Sequence, residues 1–163
     1  FSRDGIGTLI SRNAFENIRP ATLDDIGGIM ELIKPLETQG ILIKRSREKL
    51  EMEISDYTVI ERDGLIIGCT ALHPIADSNA AEIACLAIHA DYRNAARGNS
   101  LLNHLTKEAQ HNGFKRLFVR STQTVHWFIE RGFVSCEVDE LPEPVKNAYN
   151  HQRKAKVLFK DLA

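Results

Sequence analysis

Between Glu82 and Leu102 the chain reads EIACLAIHADYRNAARGNSLL. A short apolar run headed by a glutamate ends at Tyr92-Arg93. A loop of small residues and arginines follows, and helical spacing begins at about Gly98. A strand feeding such a loop into a helix N-terminus offers a row of backbone N–H groups, here along Arg93, Asn94, Ala95, Ala96, Arg97, Gly98, Asn99 and Ser100. The helix end adds a partial positive charge of about half a unit. Ala95, Ala96 and Gly98 keep side chains clear of the backbone, and Arg93 and Arg97 add formal charge. The chemistry this suits is capture of a phosphate, most naturally a diphosphate. The plainer reading is an ordinary loop with solvent-facing arginines, since small-residue loops are common.

The elements that must position this loop are legible from patterning. Residues 1–16 read as loop. Ile18 to Ala21 reads as a short strand, with Pro20 at an edge or at the strand's end. Thr22 caps a helix with Asp24 and Asp25 in its first turn, and Pro35 is expected to stop it after Lys34. Ser46 caps a second helix, roughly 47–54. In TVIERDGLIIGCTAL (58–72) two strand-like runs flank Asp63-Gly64, a hairpin signal. Residues 81–88 form a third apolar run. Leu101, Leu102, Leu105 and Ala109 share a helix face, and Gly113 ends that helix. A strand at 117–120, a helix at 124–131 closed by Gly132, a strand at 133–138, a helical turn at 142–148 and a last strand at 156–159 complete the chain. Hairpins first and crossover helices later predict an α/β (α+β) domain, a mixed central sheet with helices on both faces.

The bulk numbers narrow the function class. The 163 residues suffice for a domain with its own core. A formal net charge of -1 argues against nucleic-acid or membrane binding by bulk charge. No apolar run reaches the length of a membrane span, and no signal segment is evident, so a cytoplasmic protein is expected. Cys69, Cys85 and Cys136 are too widely spaced for a disulfide framework or a zinc pattern. Cys69 and Cys85, inside apolar runs, read as reduced buried thiols. The histidines form no HExxH, and no metal is expected.

Two motifs together carry a family resemblance. Arg93-Asn94-Ala95-Ala96-Arg97-Gly98 resembles the R-x-x-G-x-G/A cofactor motif of the Gcn5-related N-acetyltransferase (GNAT) family, with alanine at the first glycine. Alanine there permits backbone approach if its φ is negative. Trp127-Phe128-Ile129-Glu130-Arg131-Gly132-Phe133 resembles the family's later aromatic-pair motif. The tyrosine that protonates the leaving thiolate in many members is here Phe128, which has no proton to give. The resemblance implies the GNAT acyl-CoA N-acyltransferase fold, acetyl-CoA as co-substrate, and cofactor contacts from the 93–100 loop, from Leu86, Ala87 and Ile88, and from Trp127, Phe128 and Arg131. Trp127 and Phe128 read mostly as core, with one edge against the cofactor arm.

The segments IRPATLDDIGGIMELIKPLETQGILIKRSREKLEMEI, AEIACLAIHADYR, TQTVHWFIERGF and NHQRKAKVL are similar to the C-terminal acetyltransferase domain of the bacterial N-acetylglutamate synthase family, from about residue 17 to the end. Residues 1–16 resemble the close of the amino-acid-kinase-like domain that precedes it there. That implies a fragment of a homo-oligomeric enzyme acetylating the α-amine of L-glutamate, the opening step of arginine biosynthesis. Such an amine must arrive neutral, so a base is needed. The resemblance puts the base at Glu82, which otherwise reads as a solvent-facing strand-end acid. It puts an assisting hydroxyl at Ser121, which reads equally as an N-cap for the next helix. Backbone N–H groups near Cys85 to Ile88 would hold the thioester oxygen if the strand splays there. Arg45 and one of Arg153 and Lys154 would clamp the acceptor's carboxylates. Cys85 is expected to pack or to touch substrate through its backbone. The alternatives are another amino acid or amine as acceptor, and a non-catalytic acetyl-CoA-binding module.

Overall fold

The computed structural model describes residues 9–10, 16–121, 123–137 and 156–162. In chain order the elements are β1 (Leu9–Ile10), β2 (Glu16–Pro20), α1 (Ile26–Thr38), α2 (Arg47–Glu53), β3 (Tyr57–Arg62), β4 (Leu65–Pro74), β5 (Ala80–Ile88), α3 (Arg97–His111), β6 (Arg116–Ser121), α4 (Val125–Ile129), β7 (Val134–Cys136) and β8 (Lys156–Asp161). Strand order is β1-β2-β3-β4-β5-β6-β8-β7. The β5–β6 pair is parallel, and β1–β2, β2–β3, β3–β4, β6–β8 and β7–β8 are antiparallel, which makes the sheet mixed as expected. The chain divides into two compact units, residues 1–71 with 85–102, and residues 72–84 with 103–163. The expected helical turn at 142–148 lies outside the described residues.

In the first unit, Asp63 (φ 50) and Gly64 (φ 83) both take positive φ, the condition for a tight two-residue hairpin between β3 and β4. Ile18, Ile60, Ile67 and Leu101 form a core cluster against which Leu86, Ile88 and Tyr92 pack. Ser46 Oγ accepts from Lys49 N–H (3.1 Å), so α2 is capped as its sequence predicts.

Sequence reasoning misjudges this unit in two places. The stretch expected as loop contributes Leu9 and Ile10, which pair with Ile18 and Asn17, and Glu16 already belongs to β2. Pro35 does not stop α1, which runs on to Thr38. Proline forfeits one backbone bond, but Ile26, Ile29, Leu32, Ile33 and Leu36 are all buried on one face. Burying Leu36 at about 1.5–3 kcal/mol offsets much of the proline penalty of about 3 kcal/mol.

The entry to α1 is anchored by charge. Thr22 N–H donates to Asp25 Oδ2 (2.7 Å). Arg19 holds the same carboxylate through two nitrogens (2.8 and 2.9 Å) and reaches Glu61 Oε1 with its Nε (2.8 Å). One guanidinium thereby ties β2, β3 and the start of α1.

In the second unit, Ala80–Ile83 runs parallel to Arg116–Val119, joined by the crossover through α3. Ile75, Ala80, Phe118 and Val157 form its core cluster, with Cys136 and Phe159 against it. The helix expected over 124–131 is shorter, Val125–Ile129, because Gly132 (φ 95) turns the chain and Phe133 N–H caps the carbonyl of Phe128 (3.1 Å).

Asp25 sets a pH dependence. The Arg19 hydrogen bonds above all, opposed by burial and helped by Thr22, hold its carboxyl below the usual value of 3.8. A depressed carboxyl contributes stability that is complete above its unfolded value and is lost as pH falls through the folded one. Denaturant melts of the wild type should therefore weaken steadily below about pH 4. Asp25→Asn should be less stable by about 2–3 kcal/mol at pH 7 and show a flatter acid limb. An unchanged acid limb would remove Asp25 from this role.

Candidate functional site

The loop expected to take a phosphate begins where β5 ends. His89 Nδ1 accepts from Asp91 N–H (3.1 Å) and opens a 3-10 turn, Ala90–Ala95, that carries Arg93 and Asn94. Arg93 is exposed, with its Nε on the Ile88 carbonyl (3.1 Å). Ala96 then takes φ 59, ψ 24, the left-handed region. The condition that its φ be negative is not met, so this position makes the backbone demand that a glycine would satisfy without strain. Ser100 N–H to Ala96 O (3.0 Å) is the first bond into α3. Amides ahead of that bond have no carbonyl to meet inside the helix, and they include those of Arg97 and Gly98.

Arg97, expected at the phosphate, has its guanidinium committed elsewhere. Its Nε and one terminal nitrogen grip Glu16 (2.9 and 2.8 Å), and the other donates to Tyr92 O (3.0 Å). Arg62 reaches the same Glu16 (3.1 Å), and the Tyr92 ring has Arg62 and Arg97 at 5.6 and 5.2 Å. Hydrogen bonding from Arg97 first, then opposed by burial and helped by Arg62, holds the Glu16 carboxyl below its usual range. The Arg97 side chain therefore fastens the loop to β2. Sequence offered no signal for a pair 81 residues apart.

In the same unit, Cys85 interrupts the extended course of β5 with φ 57. Its side chain is buried, and the Cys69 thiol donates to its carbonyl (3.4 Å). Hydrogen bonding from Cys69, with the Arg45 guanidinium adding and burial opposing, holds the Cys85 thiol below its ordinary value. Cys69 itself is pushed up. Both are free thiols, as predicted. Leu86 and Ile88 are partly buried and Ala87 fully so.

Arg45 lies on the segment between α1 and α2. One terminal nitrogen donates to Ile43 O (2.8 Å), and its backbone N–H donates to Glu37 Oε2 (2.9 Å). Its Nε is buried and meets no hydrogen-bond acceptor among the described residues. Burial works against its charge, and Cys85, Tyr57, Cys69 and Glu53 around it outweigh that. A buried N–H without an acceptor costs about 1–3 kcal/mol, so an incoming carboxylate would be strongly favoured here.

The second unit holds the expected acid. Glu82, on β5 opposite Phe118, has both carboxylate oxygens taken by Arg120 of β6 (2.6 and 3.2 Å). Both side chains are largely buried, 13% and 18% exposed, so Glu82 is not the solvent-facing strand-end acid of the plainer reading. Each carboxylate oxygen carries a second lone pair, so the pair leaves room for a proton. Sequence missed Arg120, which looks like a polar end to a short apolar strand. Ser121 is buried at the end of β6; its Oγ accepts from Thr124 N–H (2.9 Å) and shares a proton with Thr124 Oγ1 (2.7 Å). Ser121 is not the N-cap of α4, as the plainer reading had it: the N-cap is Thr124, whose side chain makes no cap bond, and the Ser121 contacts instead close the turn between β6 and α4.

Phe128 is core, 3% exposed, edge-on to Trp127 at 4.9 Å and to Phe133 at 5.3 Å. Arg131 stacks over Trp127 at 3.9 Å and donates to its carbonyl (2.9 Å). Asn99 is half-buried and Ser100 exposed. Arg153 and Lys154 lie outside the described residues. Among the described residues no cluster of metal-ligating side chains occurs, and no helix is long and apolar enough to cross a membrane.

The chain is similar to proteins of known family and structure. Residues 27–133 match the acetyltransferase (GNAT) family. Amino-acid acetyltransferases of Yersinia pseudotuberculosis and Yersinia pestis are 56% identical to this chain over 99% of its length. The chain spans only 37% of their length. N-acetylglutamate synthase from Neisseria gonorrhoeae, complexed with coenzyme A and N-acetyl-glutamate, superposes with a TM-score of 0.88 at 43% identity, covering 94% of this chain and 37% of that one. Rv2747 from Mycobacterium tuberculosis, in complex with CoA and NLQ, superposes with a TM-score of 0.76 over 90% of this chain and 99% of its own, and at 20% identity shares the fold.

The left-handed alanine has a measurable consequence. Ala96→Gly should raise stability by about 1 kcal/mol in urea melts, because a left-handed non-glycine residue is strained by at least that much. A destabilised A96G would show that the alanine methyl is held by compensating contacts.

Proposed function

The chain belongs to the GNAT acetyltransferase family, and on that premise we propose that it transfers the acetyl group of acetyl-CoA to the α-amine of L-glutamate, releasing N-acetyl-L-glutamate and CoA. The observation that carries the choice of acceptor is Arg45, a half-buried side chain whose buried Nε meets no acceptor among the described residues. A free amino acid brings the carboxylate that fills it. The relatives named above support acetylation of an amino acid, and the Neisseria enzyme's own product is N-acetyl-glutamate.

In this reading the amides of the Ala96–Gly98 turn, the α3 N-terminus and exposed Arg93 receive the diphosphate of coenzyme A. The thioester contributes a leaving group whose thiol pKa is about 8.5, so its departure needs little help. Glu82 accepts the proton that the amine gives up, directly or through water, and Arg120 fixes the direction of that carboxylate. The amine nitrogen bonds to the acetyl carbon, and the carbon–sulfur bond breaks. The Ser121 hydroxyl hydrogen, shared with Thr124, supports the departing sulfur in the absence of a tyrosine at Phe128. Arg45 seats one carboxylate of glutamate; Arg153 or Lys154 seats the other. No metal takes part. We place the reaction in arginine biosynthesis in the cytoplasm, with residues 1–16 leading from an amino-acid-kinase-like domain through which the full-length protein forms homo-oligomers.

Thiol release from acetyl-CoA, measured across the common amino acids, should be fastest with glutamate. Arg45→Ala should raise the KM for glutamate by about 100-fold, the 2–3 kcal/mol of a charge-assisted bond, and leave the KM for acetyl-CoA within twofold. Glu82→Gln should lower kcat by about 100-fold or more, the usual range for losing a general base. Preference for a monocarboxylic or amine acceptor would overturn glutamate. No thiol release with any acceptor would make the chain a binding module.

A further inference from the structure

Glu37 is an acid in the wrong place for helix stability. It sits in the last turn of α1, where the helix dipole disfavours a negative side chain. What it gains lies outside the helix. Gly40 (φ 77) reverses the chain after α1, and Ile41 and Leu42 N–H groups both return to the Leu36 carbonyl (2.9 and 3.2 Å). The strap continues to Arg45, whose backbone N–H donates to Glu37 Oε2 (2.9 Å). Arg45 is therefore fixed at two points, its main chain by Glu37 and one terminal nitrogen by the Ile43 carbonyl (2.8 Å), while its Nε stays buried without an acceptor.

We propose that Glu37 is the positioning residue for the acceptor's carboxylate: it pins the Arg45 main chain to the end of α1 so that the buried Nε is already oriented when the amino acid arrives. This rests on the reading of Arg45 as the carboxylate's seat. An amide donating to a carboxylate is a charge-assisted bond, stronger than the same amide bonded to water. Prepaid ordering of a long side chain is returned as affinity for the acceptor, because an unstrapped arginine must surrender its rotamer freedom on binding. The bond Glu37 makes is to the Arg45 main chain, so its effect is expected on acceptor binding, with the KM for acetyl-CoA as the control.

The test compares the whole chain with Glu37→Ala, Glu37→Gln, Arg45→Ala and the E37A/R45A double variant. Glu37→Met, equal in reach and a good helix former, replaces alanine if truncation unfolds the protein. E37A should raise the KM for glutamate about tenfold, with the KM for acetyl-CoA within twofold, and E37Q should restore glutamate KM to within threefold because its amide oxygen accepts the same N–H. The double variant should be no worse than R45A alone, since Glu37 acts through Arg45. Hydrogen exchange at the Arg45 amide should be slow in wild type and E37Q and fast in E37A. An E37A variant with wild-type glutamate KM beside a crippled R45A overturns the positioning role and leaves the acceptor reading standing. Equal rises in both KM values, or E37A adding fully to R45A, also overturns it. An R45A variant with wild-type glutamate KM overturns both.

Discussion

The structure turns on a reversal of backbone hand inside a strand. Cys85 takes φ 57 in the middle of β5, where a non-glycine residue is strained by roughly 1–3 kcal/mol. Such a conformation persists only where its surroundings over-determine it. Here the side chain is buried and the Cys69 thiol holds its carbonyl. Before the reversal, Ala80 to Ile83 lie in register with β6, which fixes the height of Glu82 along the strand. After it, Leu86 and Ile88 pack against Ile18, Ile60, Ile67 and Leu101, which fixes where the loop begins. The acid thus stands on the half of β5 that pairs with β6, and the loop follows the half that packs in the first unit's core.

Around that strand the arginines sort themselves by what meets them. Arg19, Arg97 and Arg120 each face a carboxylate through two nitrogens, and for Arg97 and Arg120 those contacts join segments 81 and 38 residues apart. Arg45 differs: a carbonyl takes one terminal nitrogen, and its buried Nε has no acceptor among the described residues. The difference has a physical meaning. A buried cation paired within the chain is satisfied before any ligand arrives and adds rigidity. A buried donor left over is an unsatisfied cost in the folded state and calls for an explanation. The same logic separates the two arginines of the loop. Arg93 is exposed and adjustable, while Arg97 is locked between Glu16 and Tyr92 and serves the shape of the loop.

What the sequence made legible was local. The Asp63-Gly64 hairpin, the Ser46 cap and the Leu101/Leu102/Leu105 face each follow from rules that act within a few residues, and each is where it was expected. The GNAT motifs located the loop and the aromatic helix. The failures share the opposite property. Pro35 is carried inside α1 by burial of residues on either side of it, a tertiary gain that no propensity reveals. The partners of Arg97, Glu82 and Arg45 lie 81, 38 and 8 residues away, and even the shortest of these is made by a main-chain amide, invisible to any reading of side-chain types. At Ala96 the sequence showed which backbone angle mattered but not its sign, and the sign came out positive.

The exchange of a phenol for Phe128 is where packing and chemistry meet most directly. Phe128 is enclosed by Trp127 and Phe133, both edge-on, in the arrangement that aromatic quadrupoles favour. A phenol on that enclosed ring would need a buried hydrogen-bond partner or suffer the desolvation of its hydroxyl. The phenylalanine removes that requirement and the proton together. The second unit still offers a hydroxyl pair in Ser121 and Thr124, with one hydrogen shared across 2.7 Å and a backbone amide already donating to Ser121 Oγ (2.9 Å). An oxygen that accepts from an amide is a better donor through its own hydrogen, because the two bonds polarise each other. The bond from Thr124 N–H thus ties Ser121 into the turn that precedes α4 and polarises its hydroxyl at the same time.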